Sequence, residues 1–127
     1  MHAEDTNFLF DIDDYILSDE GMEYLDEFLA VYASIMMSDT HAGYITEIIV
    51  EGHTDSDGSY EHNLTLSENR AASVEDYCLS IEPGLARIMV TRGMSFDQLV
   101  LDETGVEDKA ASRRVVFRFI LKTSLGG

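Results

Sequence analysis

Two oppositely charged side chains, Asp55 and Arg70, stand fifteen positions apart in the sequence. Asp55 lies in a polar stretch after a run of β-branched residues, and Arg70 lies in a segment whose apolar periodicity is typical of a helix. A carboxylate accepts hydrogen bonds from an ammonium group, and the planar guanidinium of arginine pairs with a carboxylate through two parallel hydrogen bonds. The pair could therefore bind a group that carries both charges, or it could form an ion pair that only ties a loop to a helix.

Other kinds of site find less support in the residue types and their spacing. The stretch after the strand resembles the front of a calcium loop, but His53 and Leu64 stand where an EF-hand needs its first and twelfth carboxylates. The histidines include no pair with helical i, i+4 spacing, so no metal and no other cofactor is predicted. Asp55, Asp57 and Glu61 could supply an acid and a base to a hydrolase, yet no motif defines such a pair. We therefore predict that the chain is not an enzyme.

The acidic side chains are concentrated in the first half of the chain. The net charge is −17, and residues 1–69 contain 17 acidic residues and no lysine or arginine, so that Arg70 is the first cation. So acidic a surface repels nucleic-acid phosphates and anionic lipid, which excludes binding to nucleic acid. No apolar run reaches the roughly 18 residues of a membrane helix. The acidic half is either a solvated face or a surface that attracts a basic partner.

The apolar pattern predicts the elements that must position these side chains. Apolar residues at spacings of three and four from Met22 to Met36 predict one helix. A second helix is predicted to start at a Thr65–Glu68 capping box and to end at residues 82–84. Strands are predicted at residues 7–10, 44–50, 88–91 and 115–121, with a loop at residues 95–111. The predicted class is α+β, in the order β-α-β-α-β-β, with a mixed sheet and both helices packed on one face.

Several motifs in register carry a resemblance to a known family. A strand ends in Gly52-His53-Thr54-Asp55, Gly58 follows in a loop, and the next segment contains Asn63-Leu64-Thr65-Leu66-Ser67 and Arg70-Ala71-Ala72-Ser73-Val74. A turn, Arg92-Gly93-Met94-Ser95, and a C-terminal motif, Ser112-Arg113-Arg114-Val115, match further, although the family usually has asparagine or aspartate where Ser112 stands. With Phe8-Leu9-Phe10-Asp11, these motifs resemble the OmpA-like peptidoglycan-binding domain from about residue 7 to residue 122.

This resemblance implies a domain that binds cell-wall peptidoglycan non-covalently, through the free end of a diaminopimelate side chain. That free end carries an ammonium and a carboxylate on one carbon, so Asp55 would accept from the ammonium and Arg70 would bind the carboxylate. The ligand-binding residues that the resemblance implies are Asp55, Arg70, Thr54, Asn63, Asp11 and Arg113. Structural roles are the alternative: Arg113 would neutralise Asp11 or its acidic neighbours, and Thr54 and Asn63 would bond the loop backbone.

The same resemblance sets the expected organisation of the chain. Residues 1–6 would be an N-terminal extension, residues 7–122 the domain, and residues 123–127 a flexible tail. We expect this chain to be a fragment of a longer periplasmic or envelope protein. Contact with a membrane is expected only through the other segments of that protein. The expected partner is the peptide stem of peptidoglycan, and a homodimer is compatible with the chain. The alternative function is an acidic protein-interaction module that docks a basic partner without binding the wall.

Overall fold

The computed structural model describes residues 10, 16–37 and 45–121. The helices are α1 (Asp19–Met37), α2 (Tyr60–Ile81) and a short α3 (Lys109–Ser112). The strands are β1 (Ile45–His53), β2 (Met89–Gly93) and β3 (Arg114–Leu121), and a 3-10 helix at Pro83–Arg87 connects α2 to β2. None of the helices in these ranges has a stretch long and apolar enough to span a lipid bilayer.

Strand β1 lies in the centre of a three-stranded mixed sheet with the order β2-β1-β3. It pairs parallel with β2, which sets Gly52 opposite Gly93, and antiparallel with β3, which sets His53 opposite Arg114. The C-terminal ends of β1 and β2 and the start of β3 therefore meet at one edge of the sheet. The mixed sheet is confirmed. Of the strand predicted at residues 7–10, only Phe10 belongs to the described residues, where it forms a β-bridge with Leu17.

One apolar cluster joins both long helices to the same face of the sheet. Ile48 and Val50 are two positions apart on β1, so they point to the same face, and both are fully buried. They pack with Leu25 and Phe28 from α1, Ala71, Val74 and Cys78 from α2, and Val115 and Phe117 from β3. The rings of Phe28 and Phe117 stack with their centroids 4.5 Å apart. The predicted α+β class, with helices on one face of the sheet, is thereby confirmed.

Helix α2 begins earlier than the capping box predicts. Its N-cap is Ser59, whose side chain accepts a hydrogen bond from the backbone N–H of His62 at 3.1 Å. Thr65, the predicted cap, is an exposed residue inside the helix. The loop between β1 and α2 is therefore residues 54–59, and Arg70 lies about three turns into the helix, whereas a start at Thr65 would place it in the second turn. The predicted start of α2 was wrong because Ser59 and Thr65 are both good N-cap residues, and the helix starts at the first of them.

The segment between β2 and β3 contains more regular structure than the predicted loop. Leu101 and Glu107 form an isolated β-bridge, and the backbone N–H of Asp102 donates to the carbonyl of Val106 at 2.7 Å. Helix α3 follows, and the carboxylate of its N-cap, Asp108, accepts from the backbone N–H of Ala111 at 3.0 Å. The prediction of a loop is therefore wrong where α3 lies.

Two glycines let α2 approach the backbone of the sheet. A Cβ atom built on Gly52 would overlap the backbone carbonyl of Ser67, and one built on Gly93 would overlap Glu68. Any side chain at these strand positions would push α2 away from the edge of the sheet where the predicted site residues lie. The glycines thus set the distance between the two walls of that site.

Candidate ligand-binding site

A cavity of about 310 Å³ opens at the edge of the sheet where β1 ends and β3 begins. Its walls come from the loop after β1, from α2, and from the residue that precedes β3. Five of the six predicted ligand-binding residues line it, namely Thr54, Asp55, Asn63, Arg70 and Arg113. The sixth, Asp11, lies outside the described residues. The fold therefore brings to one cavity side chains that come from three separate segments of the chain.

Asp55 is held in the cavity wall by two hydrogen bonds and is only 7% exposed. Its Oδ2 accepts from Nη1 of Arg113 at 2.6 Å, and its Oδ1 accepts from the backbone N–H of Asp57 at 3.0 Å. The ion pair between Asp55 and Arg113 was not predicted, since sequence reasoning set Arg113 against Asp11 or a ligand. A carboxylate offers about four acceptor positions, so Asp55 retains capacity for an ammonium group.

Arg70 reaches the cavity from α2, and its side chain is packed so that the residue is only 5% exposed. Its guanidinium carbon lies 5.3 Å from the centroid of the Phe10 ring, a distance typical of a cation–π contact. This contact and the burial restrict the orientation of the planar group. With the Asp55 carboxylate and the Arg70 guanidinium, the cavity presents both signs of charge.

Thr54 and Asn63 support the backbone of the loop between β1 and α2. The hydroxyl of Thr54 donates to the carbonyl oxygen of Asp55 at 2.9 Å. The side-chain amide of Asn63 donates to the carbonyl oxygen of Asp57 at 2.7 Å. Gly58, also in the cavity wall, has a φ of 90°, which residues with a side chain rarely adopt. These contacts fit the structural roles considered for Thr54 and Asn63, and both residues also face the cavity.

Ser95 joins the cavity loop to the start of α2, and sequence reasoning missed this role. It is fully buried with a φ of 50°, in the left-handed region that costs energy for residues other than glycine. Its carbonyl accepts from the backbone N–H of Thr54 at 2.9 Å, and its hydroxyl donates to the carbonyl of Tyr60 at 2.9 Å. Its own N–H donates to the hydroxyl of Ser67 at 3.0 Å. The Arg92–Ser95 turn motif was the signal that could have indicated this position.

The described residues provide neither a metal cluster nor a reactive thiol. No group of three or more histidine, cysteine, aspartate or glutamate side chains in the described ranges is close enough to hold a metal ion. Burial raises the pKa of the Cys78 thiol to about 12, so this thiol stays protonated and unreactive at neutral pH.

A separate group of charged side chains lies on the face of the sheet that points away from α1 and α2. Glu51 is 2% exposed, accepts from Nε of Arg118 at 2.8 Å, and is bonded to Nε2 of His53 at 3.1 Å. Burial acts to raise the pKa of Glu51, but the hydrogen bonds from Arg118 and His53 outweigh it and lower that pKa. Burial and the positive charge of Arg114 lower the pKa of His53 to about 4. His53 is therefore neutral at pH 7.

We expect the free energy of unfolding to decrease as the pH falls from about 6.5 to about 4. Unfolded His53 takes up a proton near its ordinary pKa of 6.5, whereas folded His53 remains neutral down to about 4. Between these values the unfolded state binds more protons, so acid favours unfolding by at most about 1.4 kcal/mol per pH unit. Urea unfolding at several pH values in this window measures the slope. In a His53→Gln variant, which can still donate to Glu51, the slope should be smaller by at most about 1.4 kcal/mol per pH unit, the contribution of one proton. A slope equal to that of the wild type would contradict this prediction.

The fold and the motifs together define the class of this protein. Residues 9–114 match the OmpA family. This match covers most of the chain, including both long helices, strands β1 and β2, and the residues that line the cavity, and it ends at the start of β3. The chain belongs to the OmpA family.

Individual relatives share less of their length with the chain. It is 30% identical over 115 residues to the Zorya protein ZorB of Escherichia coli, which covers 80% of the chain and 48% of that protein. It is 33% identical over 107 residues to the peptidoglycan-associated lipoprotein of Pseudomonas aeruginosa, which covers 84% of the chain and 52% of that protein. The chain thus spans about half the length of the curated relatives it matches.

Solved structures show the same fold. The periplasmic domain of Helicobacter pylori MotB superposes with a TM-score of 0.73, covering 97% of this chain and 82% of that one. The two sequences are only 15% identical, so this likeness shows the shared fold alone.

Proposed function

We propose that this domain binds cell-wall peptidoglycan non-covalently, through the free end of a diaminopimelate side chain, and so anchors a parent envelope protein to the wall. The observation that carries the proposal is that Asp55, Arg70 and Arg113 line the same cavity. Membership of the OmpA family and similarity to a protein named peptidoglycan-associated lipoprotein support it. The proposed activity is binding without catalysis.

The free end of diaminopimelate matches the charges in the cavity. It carries one ammonium and one carboxylate on the same carbon. Asp55 accepts hydrogen bonds from the ammonium, and the fork of Arg70 pairs with the carboxylate. In this proposal Arg113 holds the Asp55 carboxylate in place, with its Nη1 atom 2.6 Å from Oδ2 of Asp55. Thr54 and Asn63 line the cavity beside this pair. Asp11 is proposed as a further ligand-binding residue on the family resemblance alone.

The affinity of one site is expected to be modest. Each charge-assisted hydrogen bond contributes about 1.5–3 kcal/mol, and the cost of ordering the ligand offsets part of the total, which gives micromolar or weaker binding. A chain with a net charge of −17 also repels the carboxylates of wall peptides at long range. Binding must then depend on the cations inside the cavity, and added salt should not abolish it. Many wall sites would supply avidity.

We further propose that the domain works in the periplasm or cell envelope as part of a longer protein. The chain covers about half the length of its matched relatives. In this proposal, the segments that hold the parent protein in a membrane belong to the rest of that protein. Similarity to a protein named peptidoglycan-associated lipoprotein supports this location.

Two synthetic stem peptides test the proposed ligand. The tripeptides L-alanyl-γ-D-glutamyl-meso-diaminopimelate and L-alanyl-γ-D-glutamyl-L-lysine differ at one end, because only the first carries an ammonium and a carboxylate on its terminal carbon. We expect the first to bind at least about 10-fold more tightly, since one bidentate contact is lost in the second. Calorimetric titration measures both affinities, and sedimentation with purified wall measures binding to the polymer.

The outcomes separate the functions considered. Equal affinity for the two tripeptides would refute recognition of the diaminopimelate end, even if the domain sediments with wall. Absence of binding to both tripeptides and to wall would refute the proposed function and favour the acidic protein-interaction module. Release of soluble fragments from wall would indicate a hydrolase instead.

A further inference from the structure

The cavity loop, residues 54–59, is held on its outer side by two residues from the segment between β2 and β3. The carboxylate of Glu107 accepts from both the backbone N–H of Ser56, at 3.0 Å, and the hydroxyl of Ser56. Nζ of Lys109 donates to Oδ1 of Asp57 at 2.6 Å. We name Glu107 and Lys109 the clasp. The clasp and the loop it holds are about fifty positions apart in the sequence.

Glu107 lies in a turn that several hydrogen bonds close, and Lys109 is the first residue of α3. The Oδ1 atom of Asp102 accepts from the backbone N–H groups of Thr104 at 2.8 Å and of Val106 at 3.1 Å. The hydroxyl of Thr104 also donates to Asp102, and these hydrogen bonds lower the pKa of the Asp102 carboxyl. The backbone N–H of Asp108 donates to the carbonyl of Val100 at 2.8 Å, and the N–H of Asp102 donates to the carbonyl of Val106 at 2.7 Å. Hydrogen bonds therefore close the turn on both sides of Glu107. A turn closed by its own hydrogen bonds gives the clasp a defined position.

The contacts of the clasp affect the loop more than the stability of the whole fold. The side chains of Lys109 and Asp57 are 50% and 67% exposed, and exposed ion pairs contribute little to global stability. The loop, however, connects directly to the cavity. The backbone N–H of Asp57 donates to Oδ1 of Asp55 at 3.0 Å, so the position of Ser56 and Asp57 decides where the Asp55 carboxylate points.

We infer that Glu107 and Lys109 are positioning residues of the cavity, which hold the loop in the conformation that presents Asp55 to a ligand. This inference rests on the proposed function for its effect on binding, whereas its effect on the loop holds without any ligand. A loop that is already ordered in the free protein loses less conformational entropy when a ligand binds. The contacts of the clasp therefore strengthen the affinity for the ligand. Neither residue lines the cavity itself, so both act through Ser56 and Asp57.

Three variants at matched positions test the clasp. Glu107→Ala removes both hydrogen bonds to Ser56. Glu107→Gln keeps the geometry, because its amide oxygen can accept from the Ser56 N–H and its amide nitrogen can donate to the Ser56 hydroxyl. Glu103→Ala is the control, since it removes one negative charge from an exposed position of the same turn. In each variant, hydrogen exchange of the Asp57 amide and calorimetric affinity for the diaminopimelate tripeptide are measured, with the thermal midpoint as a check on folding.

We expect Glu107→Ala to increase the exchange rate of the Asp57 amide about 10-fold and to weaken tripeptide binding about 5- to 10-fold. Glu107→Gln should restore most of both, and Glu103→Ala should leave both unchanged. A Glu107→Ala variant with unchanged exchange at Asp57 would overturn the inference, as would a Glu107→Gln variant as impaired as Glu107→Ala. If the wild-type protein binds no tripeptide, the proposed function fails, and the exchange rates alone then decide whether the clasp holds the loop.

Discussion

Arg70→Ala is expected to weaken binding of the diaminopimelate tripeptide by about 30-fold or more. The substitution removes the guanidinium that is proposed to pair with the ligand carboxylate, and the loss of about 2 kcal/mol corresponds to this factor. Among the described residues, the other arginine that lines the cavity, Arg113, cannot replace it directly, because it is already bound to the Asp55 carboxylate at 2.6 Å. Calorimetric titration and sedimentation with purified wall measure the effect.

Controls must separate lost ligand contacts from lost packing. Arg70 is 5% exposed and lies against the ring of Phe10, so alanine also removes buried contacts of the aliphatic stem. Arg70→Lys keeps the stem and the charge but not the planar fork, and it should weaken binding about 10-fold. Arg87→Ala removes the same charge from an exposed position of the 3-10 helix and should bind like the wild type. A folded Arg70→Ala variant with wild-type affinity would show that the proposed ligand contact does not exist.

Gly52→Ala is expected to reduce the free energy of unfolding by about 3 kcal/mol, because the added methyl group would overlap the backbone carbonyl of Ser67. A backbone atom cannot rotate away, so α2 must shift relative to β1. That shift would strain the hydrogen bond of 3.0 Å between the Ser95 N–H and the Ser67 hydroxyl. Urea unfolding measures the stability, and we expect the same variant to bind the tripeptide more weakly.

Gly105→Ala provides the matched comparison for this substitution. Gly105 has a φ of 85°, and a Cβ atom there would meet nothing within 4 Å, so alanine adds backbone strain without steric overlap. Its expected cost is about 1 kcal/mol. Equal losses of stability in the two variants would contradict the view that close packing of α2 on the sheet determines the effect at Gly52.

Local patterns in the sequence predicted most of the secondary structure. The spacing of apolar residues in α1 and the run of β-branched residues in β1 are signals that each element carries alone, and both elements lie where they were predicted. The start of α2 has two local solutions, Ser59 and Thr65, and the structure uses Ser59. The hydroxyl of Ser95, which donates to the carbonyl of Tyr60, favours the earlier start, and no local pattern contains that contact.

The residues that line the candidate site could be named from the sequence, whereas most of their hydrogen-bond and ion-pair partners could not. The motifs around Asp55 and Arg70 lie close together in the sequence, and both residues line the same cavity. The ion pair of Asp55 with Arg113 and the hydrogen bond of Ser56 with Glu107 join segments more than fifty positions apart. Such partners depend on how the strands are ordered in the sheet, which single-residue patterns do not encode. His53 shows the same limit, because its motif placed it before a loop and gave no sign that it is fully buried beside Glu51.

The unfolded chain has no such cavity, because its walls come from the loop after β1, from α2 and from the residue before β3. Any molecule that occupies the cavity is therefore bound by the native state alone, and by mass action it raises the apparent melting temperature in proportion to the logarithm of its concentration over its dissociation constant. Where such a ligand is abundant relative to its dissociation constant, a domain that is only marginally stable in dilute solution would therefore become resistant to proteolysis.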